Sequence, residues 1–254
     1  MGYNKTQLTP LATVDRMIAH RDQWAHLHRF YYVINAVGRL KLQKPNILDF
    51  GCGSGQMLEL FYRNRFAPNH YVGIDIREKT VESNYEKFSS LDEQGKVDFI
   101  AGDLCSKEVV SKIPENNYDI ITCFEVAEHV GKGNIDNLLS NISNFCSEDT
   151  LVLLSTPNYD KIVGAAKNHI IDGEIGEWDY FELNEKLNNY FTIEKEFGTF
   201  ASIKDYKKSL TEAQLEVFNQ VREYYDPNML SVFFAPMIKP QFARNVLRVM
   251  KVRR

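Results

Sequence analysis

The 254-residue chain is 44% hydrophobic and 25% charged with a formal net charge of −4, the proportions of a globular protein with apolar mass for a sizeable core. That balance excludes attachment to nucleic acid by bulk positive charge and leaves only a local basic set, Lys204, Lys207, Lys208 and the 251–254 tail, read as solubilising. No run approaches the ~18 apolar residues of a membrane-spanning helix. Cys52, Cys105, Cys123 and Cys146 form no CxxC pair and read as reduced thiols, so the expected setting is cytoplasmic, away from any membrane.

In chain order, residues 1–44 read as a helical lid, because Trp24, Leu27, Tyr31, Ile34 and Val37 recur at steps of three and four along one helical stripe. His20, His26 and His28 on it are expected to be solvated. Residues 45–198 read as the core, with strands predicted at 46–50, 71–75, 97–101, 118–124, 151–155 and 190–194. Helical patterns lie between them, through Met57 to Tyr62, 78–88, Ile135 to Ile142 and 181–187. Short apolar strands alternating with helices are the pattern of βαβ units, so the class is α/β with a mostly parallel sheet covered on both faces.

Residues 199–240 read as a helical insertion over the ligand edge of the sheet. Within it Thr211 and Gln214 form a capping box, Leu210 and Leu215 a staple, and Leu215, Phe218, Val221 and Tyr225 share a face. Tyr224, Tyr225, Phe233 and Phe234 are expected to pack the insertion onto the domain. Residues 241–254 supply a last strand and the basic tail.

The strongest chemical signal is Asp49-Phe-Gly51-Cys52-Gly53-Ser-Gly55, where the first strand passes into the first core helix. Glycines there let backbone amides approach a ligand at a helix N-terminus. The loop departs from G-x-G-x-x-G, since the sixth position from Gly51 is Gln56, so a ligand other than a pyrophosphate is suggested. The second strand ends in Asp75, a carboxylate placed to accept from ribose hydroxyls, and the third ends in Asp103-Leu104, an acceptor and an apolar side chain fit for adenine.

These segments resemble the class I S-adenosylmethionine (SAM)-dependent methyltransferases: LDFGCGSG (48–55), YVGIDI (71–76), AGDL (101–104), YDIITCFEVAEHV (118–130) and LLSTPN (153–158) match their successive strand ends. The resemblance implies a Rossmann-like seven-stranded sheet with the last strand antiparallel, an N-terminal helical extension and a helical insertion before that strand. It implies that Asp49, Gly51, Cys52, Gly53 and Gly55 hold the methionine part of SAM, Asp75 and Ile76 the ribose end, and Asp103 and Leu104 the adenine. Residues 123 to 125, Phe124 among them, would line the reacting end. The product would be S-adenosylhomocysteine (SAH).

Such a reaction asks the protein to align a nucleophile, exclude water and remove a proton. Glu125, Glu128, His129 and His169 are candidate bases, and our reading favours Glu125, His129 and His169 with no metal and a small-molecule acceptor. An alternative stays open. Glu125, Glu128 and His129 would share one side of a helical turn and, with His169, ligate a divalent cation, as in the small-RNA 2′-O-methyltransferases that this stretch resembles. In that family, however, the histidine stands close before a Phe-Glu-Trp, whereas His169 precedes Glu177-Trp178 by a longer segment. A third reading is a non-catalytic SAM-binding protein. The oligomeric state is open.

Overall fold

The computed structural model describes residues 21–89, 96–161 and 164–253. Residues 1–20, and with them His20 and the start of the expected lid, lie outside the described residues. The first described helix, α1 (Arg21–Arg39), leads into β1 (Asn46–Phe50), α2 (Gln56–Arg63), β2 (His70–Asp75), α3 (Glu78–Phe88), β3 (Val97–Ala101) and α4 (Lys107–Lys112). Then come β4 (Ile120–Phe124), α5 (Ile135–Asn144), β5 (Leu151–Pro157), a small hairpin of β6 (Ile170–Ile171) and β7 (Glu174–Ile175), α6 (Tyr180–Leu187) and β8 (Phe191–Phe200). Three helices, α7 (Ile203–Ser209), α8 (Glu212–Val221) and α9 (Pro227–Phe233), precede β9 (Asn245–Val252).

The seven long strands form one sheet in the order β3-β2-β1-β4-β5-β9-β8. β1 pairs in parallel with both β2 and β4, while β9 runs antiparallel to β5 and β8. The chain therefore winds outward from β1 in one direction and from β4 in the other, and the reversal opens a crevice at the carboxyl ends of those two strands, where α/β sheets bind ligands.

Side chains alternate between the two faces along each strand, and both faces are buried. Ile47, Tyr71, Phe99, Ile120 and Leu153 pack under α1, α2 and α3 on one side. Leu48, Val72, Ile121, Leu154 and Met250 pack under α5 and α6 on the other. Among the described residues no helix is long and apolar enough to cross a membrane.

Three expectations are corrected. The buried stripe of α1 runs through Leu27, Phe30, Val33 and Val37, whereas Tyr31 is exposed and Ile34 half-buried. Apolar residues surround this helix on several sides, so spacing alone admitted two stripes. β8 continues to Phe200, past the expected 190–194, because irregularities between Ile193 and Lys195 and between Gly198 and Phe200 restore its pairing with β9. The third concerns Tyr224 and Tyr225 of the insertion, which is helical as expected and holds three helices, each with an N-terminal stop of its own. Ser202 and Asp205 form a capping box, as do Thr211 and Gln214, and Asp226 caps a helix that starts with a proline.

The insertion has its own small core of Tyr206, Phe218, Leu230, Ala235 and Ile238, with Leu215, Val221 and Phe234 against it. Tyr224 and Tyr225, expected to pack, are instead exposed, because α8 ends before them and their side chains leave its buried face. α9 meets α1 directly: Phe233 abuts Trp24 edge-on at 5.6 Å, and Val232 joins Ala25 and Phe200. That contact sets the face of α1 carrying His26 and Arg29 over the crevice.

Candidate functional site

The loop after β1 is stitched to β2 by its own backbone. The amides of Gly51 and Cys52 both donate to the Ile74 carbonyl at 2.8 Å. Gly51 takes φ +85°, and a Cβ there would stand 2.2 Å from Val126 Cγ2, so only glycine satisfies both the left-handed turn and the close approach. The next amide, that of Gly53, donates to Asp75 Oδ2 at 3.1 Å. The glycine loop and the acidic strand end are therefore adjacent groups of one site.

Asp75 is nearly buried and accepts three further hydrogen bonds, all from Arg77. Its backbone amide and Nε reach Oδ1 at 3.0 and 2.9 Å, and Nη2 reaches Oδ2 at 3.2 Å. The Arg77 side chain is 64% exposed, so it lies across the carboxylate as a cover that faces water.

A cavity of about 520 Å³ opens beside this pair, with Gly51, Gly53, Asp75, Ile76, Asp103 and Leu104 in its wall and Phe124 at its inner end. Ile76 is 69% exposed and Asp103 exposed, while Leu104 is buried. Asp103 Oδ1 accepts from the Cys105 amide at 2.9 Å, which fixes the turn after β3. Asp49 and Cys52 line a smaller adjoining cavity of about 270 Å³, with Gly51, Gly53 and Phe124.

Two candidates take other places. Gly55 lines neither cavity; it caps α2 in the left-handed conformation, and a Cβ there would press on the Phe88 ring at 2.5 Å. Cys123 is buried in the core facing α5, because alternation along β4 turns it away from the crevice that Phe124 faces.

Asp49 is buried beneath the loop, accepting from Tyr71 Oη at 2.6 Å and Thr122 Oγ1 at 2.8 Å. Burial pushes its carboxyl up to about 6, against the pull of those two donors.

A third cavity, of about 360 Å³, adjoins the first, and His26, Glu125 and His129 stand in the wall of both. Arg29, Glu128, Asn168, His169, Arg244 and Asn245 complete its polar lining. The expected helical turn over 125–129 does not form. Glu125 adopts φ +57°, a conformation that breaks a right-handed helix, and the chain continues through turns. The Glu125 carboxylate is held by Ser155 Oγ at 2.9 Å and Asn245 Nδ2 at 2.6 Å, with Arg29 Nη1 at 3.7 Å. Glu128, His129 and His169 instead cluster, each with one potential ligand atom within 4.8 Å of the others'. Glu125 is outside that group, which reduces the four-residue ligand set to three.

Glu128 is buried and accepts from Thr156 Oγ1 at 2.8 Å. Its burial, then the neighbouring Glu125 charge, hold its carboxyl well above the usual carboxylate range. His129 is lowered, first by burial and then by His169. Its Nδ1 lies 3.2 Å from the Asn168 carbonyl, which only accepts, so Nδ1 carries the proton and Nε2 is left as a lone pair. The rings of His129 and His169 meet edge-on at 4.8 Å.

Four polar residues of this site escaped the sequence reading. Arg29 is almost fully buried, with Nη2 donating to His26 Nδ1 at 2.9 Å and with Nε and Nη1 lacking hydrogen-bond partners. Asn245 reaches Glu125 from the start of β9, and Glu177 and Arg244 pair behind His169. None was given a role, and only Glu177 lies in a motif, the Glu-Trp pair that follows His169. For the others the only available signal was that a polar residue interrupts an apolar stripe, and most such residues are solvated. His26, expected in solvent, lines all three cavities.

A methyltransferase-domain family model matches residues 24–220. The ubiquinone biosynthesis O-methyltransferase of Hydrogenovibrio crunogenus is 35% identical over 89 residues, 35% of this chain and 34% of that protein. The mRNA cap guanine-N(7) methyltransferase of Schizosaccharomyces pombe is 26% identical over 168 residues, 64% of this chain and 44% of that protein. The chain thus spans half or less of these curated relatives. Among solved structures, the magnesium protoporphyrin IX methyltransferase of Synechocystis PCC 6803 with bound SAH superposes with a TM-score of 0.57 at 14% identity, covering 99% of this chain and 91% of that one.

The Asp49 environment sets a pH dependence. Its folded value near 6 exceeds its ordinary 3.8, so the folded chain keeps a proton that the unfolded chain releases between those values. Stability from this group therefore rises as pH falls from above 6 towards 4, by up to ~3 kcal/mol. Urea unfolding followed across pH 4–7 is expected to lose that component in Asp49→Asn.

Proposed function

The chain belongs to the methyltransferase-domain family, and from that premise we propose that it transfers the methyl group of SAM to an oxygen or nitrogen nucleophile of a small molecule. The observation that carries this reading is the adjacency of the two cavities across Glu125 and His129, one walled by the glycine loop and Asp75, the other by titratable side chains. SAM supplies an activated methyl carbon on a sulfonium, so little covalent work is left to the protein. The residues fit such a ligand. At Gly53 a Cβ would meet only the exposed Arg77 side chain, at 3.9 Å, and the same side chain covers Asp75.

On this reading Asp75 accepts from the ribose, Leu104 packs against the adenine with Asp103 beside it, and Phe124 and Glu125 border the transfer path. The acceptor's proton is taken at the pair His129 and His169, of which His129 is neutral with its Nε2 lone pair free. Glu128, buried and accepting from Thr156, is not assigned the base's role. Relatives named as ubiquinone biosynthesis O-methyltransferases support a small-molecule acceptor. Incubation with methyl-labelled SAM and separated small-molecule, RNA, DNA and protein fractions is expected to label the small-molecule fraction. His129→Ala should lower that rate by ~10²–10⁴-fold. Label confined to RNA would reject the small-molecule acceptor, and no label in any fraction would leave a non-catalytic SAM-binding protein.

Displacement of Arg77 must precede ribose binding, because the four hydrogen bonds on Asp75 already use its acceptor positions. Calorimetry with SAH is expected to show tighter binding by Arg77→Ala, by a few-fold, and near-complete loss in Asp75→Ala.

The second reading, metal-assisted RNA 2′-O-methylation, is favoured by one observation, the convergence of Glu128, His129 and His169. A divalent cation there would ionise Glu128 and act as a Lewis acid. Titration with Mg²⁺, Mn²⁺ or Zn²⁺ would then show one site lost in His169→Ala. Metal-independent transfer after exhaustive chelation ends this reading.

A further inference from the structure

Behind the acceptor cavity lies a charged group that the transfer itself does not touch. Glu177 is fully buried, yet its carboxylate receives four contacts from positively polarised groups. His169 Nδ1 lies 2.8 Å from Oε1, Arg244 Nη2 3.0 Å from Oε1, the Ala166 amide 3.1 Å from Oε1, and Arg244 Nη1 2.8 Å from Oε2. The Arg244 guanidinium, a permanent cation, lies against both carboxylate oxygens, so Glu177 is the anionic partner of an ion pair and faces His169 as an acceptor.

Arg244 is in turn tied to the sheet. Its guanidinium also donates to the Asn158 carbonyl, its amide donates to Phe200 at 2.9 Å, and its own carbonyl accepts from Asn158 at 2.7 Å. The ends of β5 and β8 and the entry to β9 thus anchor one carboxylate. His169, by contrast, sits on a single 3₁₀ turn (Lys167–His169) with little regular structure to orient its ring.

Resting on the reading of this cavity as the acceptor site, we infer that Glu177 is a positioning residue, which holds the proton of His169 on Nδ1 and thereby turns the Nε2 lone pair towards the acceptor. A neutral imidazole has two tautomers of similar energy, and the other one would present an N–H where an acceptor hydroxyl or amine also needs to donate. An ionised carboxylate at Nδ1 removes that choice, as buried partners do for imidazoles at metal and hydrolytic sites. Glu177 reaches neither cofactor nor acceptor and acts only through His169.

The test is long-range proton–nitrogen correlation on the full chain carrying ¹⁵N-histidine, with His169 assigned by its loss in His169→Asn. Wild-type His169 is expected in the Nδ1–H form. Glu177→Gln, whose amide can also donate, is expected to give a mixture of tautomers. Its kcat for methyl transfer should fall ~10–100-fold with unchanged SAH affinity, and Glu177→Asp should recover part of that. In the His169→Asn background Glu177→Gln should cost nothing further. A wild-type His169 protonated on Nε2 overturns the inference even if the variants do not fold, and so does a Glu177→Gln protein with unaltered tautomer and kcat. The spectra need no acceptor, so a wild-type chain that transfers no methyl group would reject the function proposed above and leave the tautomer result to decide this inference.

Discussion

Three consecutive amides at the end of β1 organise the crevice. Those of Gly51 and Cys52 share the Ile74 carbonyl and that of Gly53 reaches the Asp75 carboxylate, so the loop cannot lift from β2 without losing all three hydrogen bonds. Each faces inward, where water cannot replace it cheaply. Beneath them Asp49, fastened to Tyr71 and Thr122, links β1 to its two neighbours on either side. A buried carboxyl costs stability unless its hydrogen bonds are met, and here both come from the strands that flank the crevice.

The cavity lined by titratable side chains is built on a different principle. The loop side uses backbone from neighbouring strands, while the second cavity gathers side chains from α1, the turn after β4, the hairpin region, and the approach to β9. Its charges are compensated in pairs. Glu125 is held by Ser155 and Asn245 with Arg29 nearby, and Glu177 by Arg244 and His169. The strained backbone of Glu125 belongs to this arrangement, since a right-handed residue there would continue a helix and put its carboxylate with Glu128 and His129. Strain of this kind persists only where surrounding contacts over-determine it, and functional sites are where it collects.

How much of this was legible depended on range. The glycine loop, Asp75 and the Asp103-Leu104 pair were readable because each sits at a strand end, and strand ends follow from local apolar runs and the helices between them. The helix over 78–88 and the Thr211 cap were likewise local. The stripe of α1 was misplaced because several rotations of that helix bury similar apolar area, and the partners that select one, Phe124, Phe197 and Leu247 of the sheet, lie far downstream. The helical turn expected over 125–129 failed for a related reason. Its composition permits a helix, and the left-handed backbone of Glu125, whose amide is tied to the Ser155 carbonyl, keeps one from starting there.

By itself, then, the amino-acid order determined the α/β alternation, the parallel sheet and the residues that wall the crevice, because these depend on periodicity and on motifs spanning fewer than ten residues. Only the tertiary structure decided which titratable groups share the second cavity. It separated Glu125 from Glu128 and His129, seated Arg29 and His26 over the crevice, and set Glu177 and Arg244 behind His169. Those choices belong to contacts between positions far apart in the chain, whose energies exist only once the sheet has closed and water has been excluded, and no local pattern encodes them.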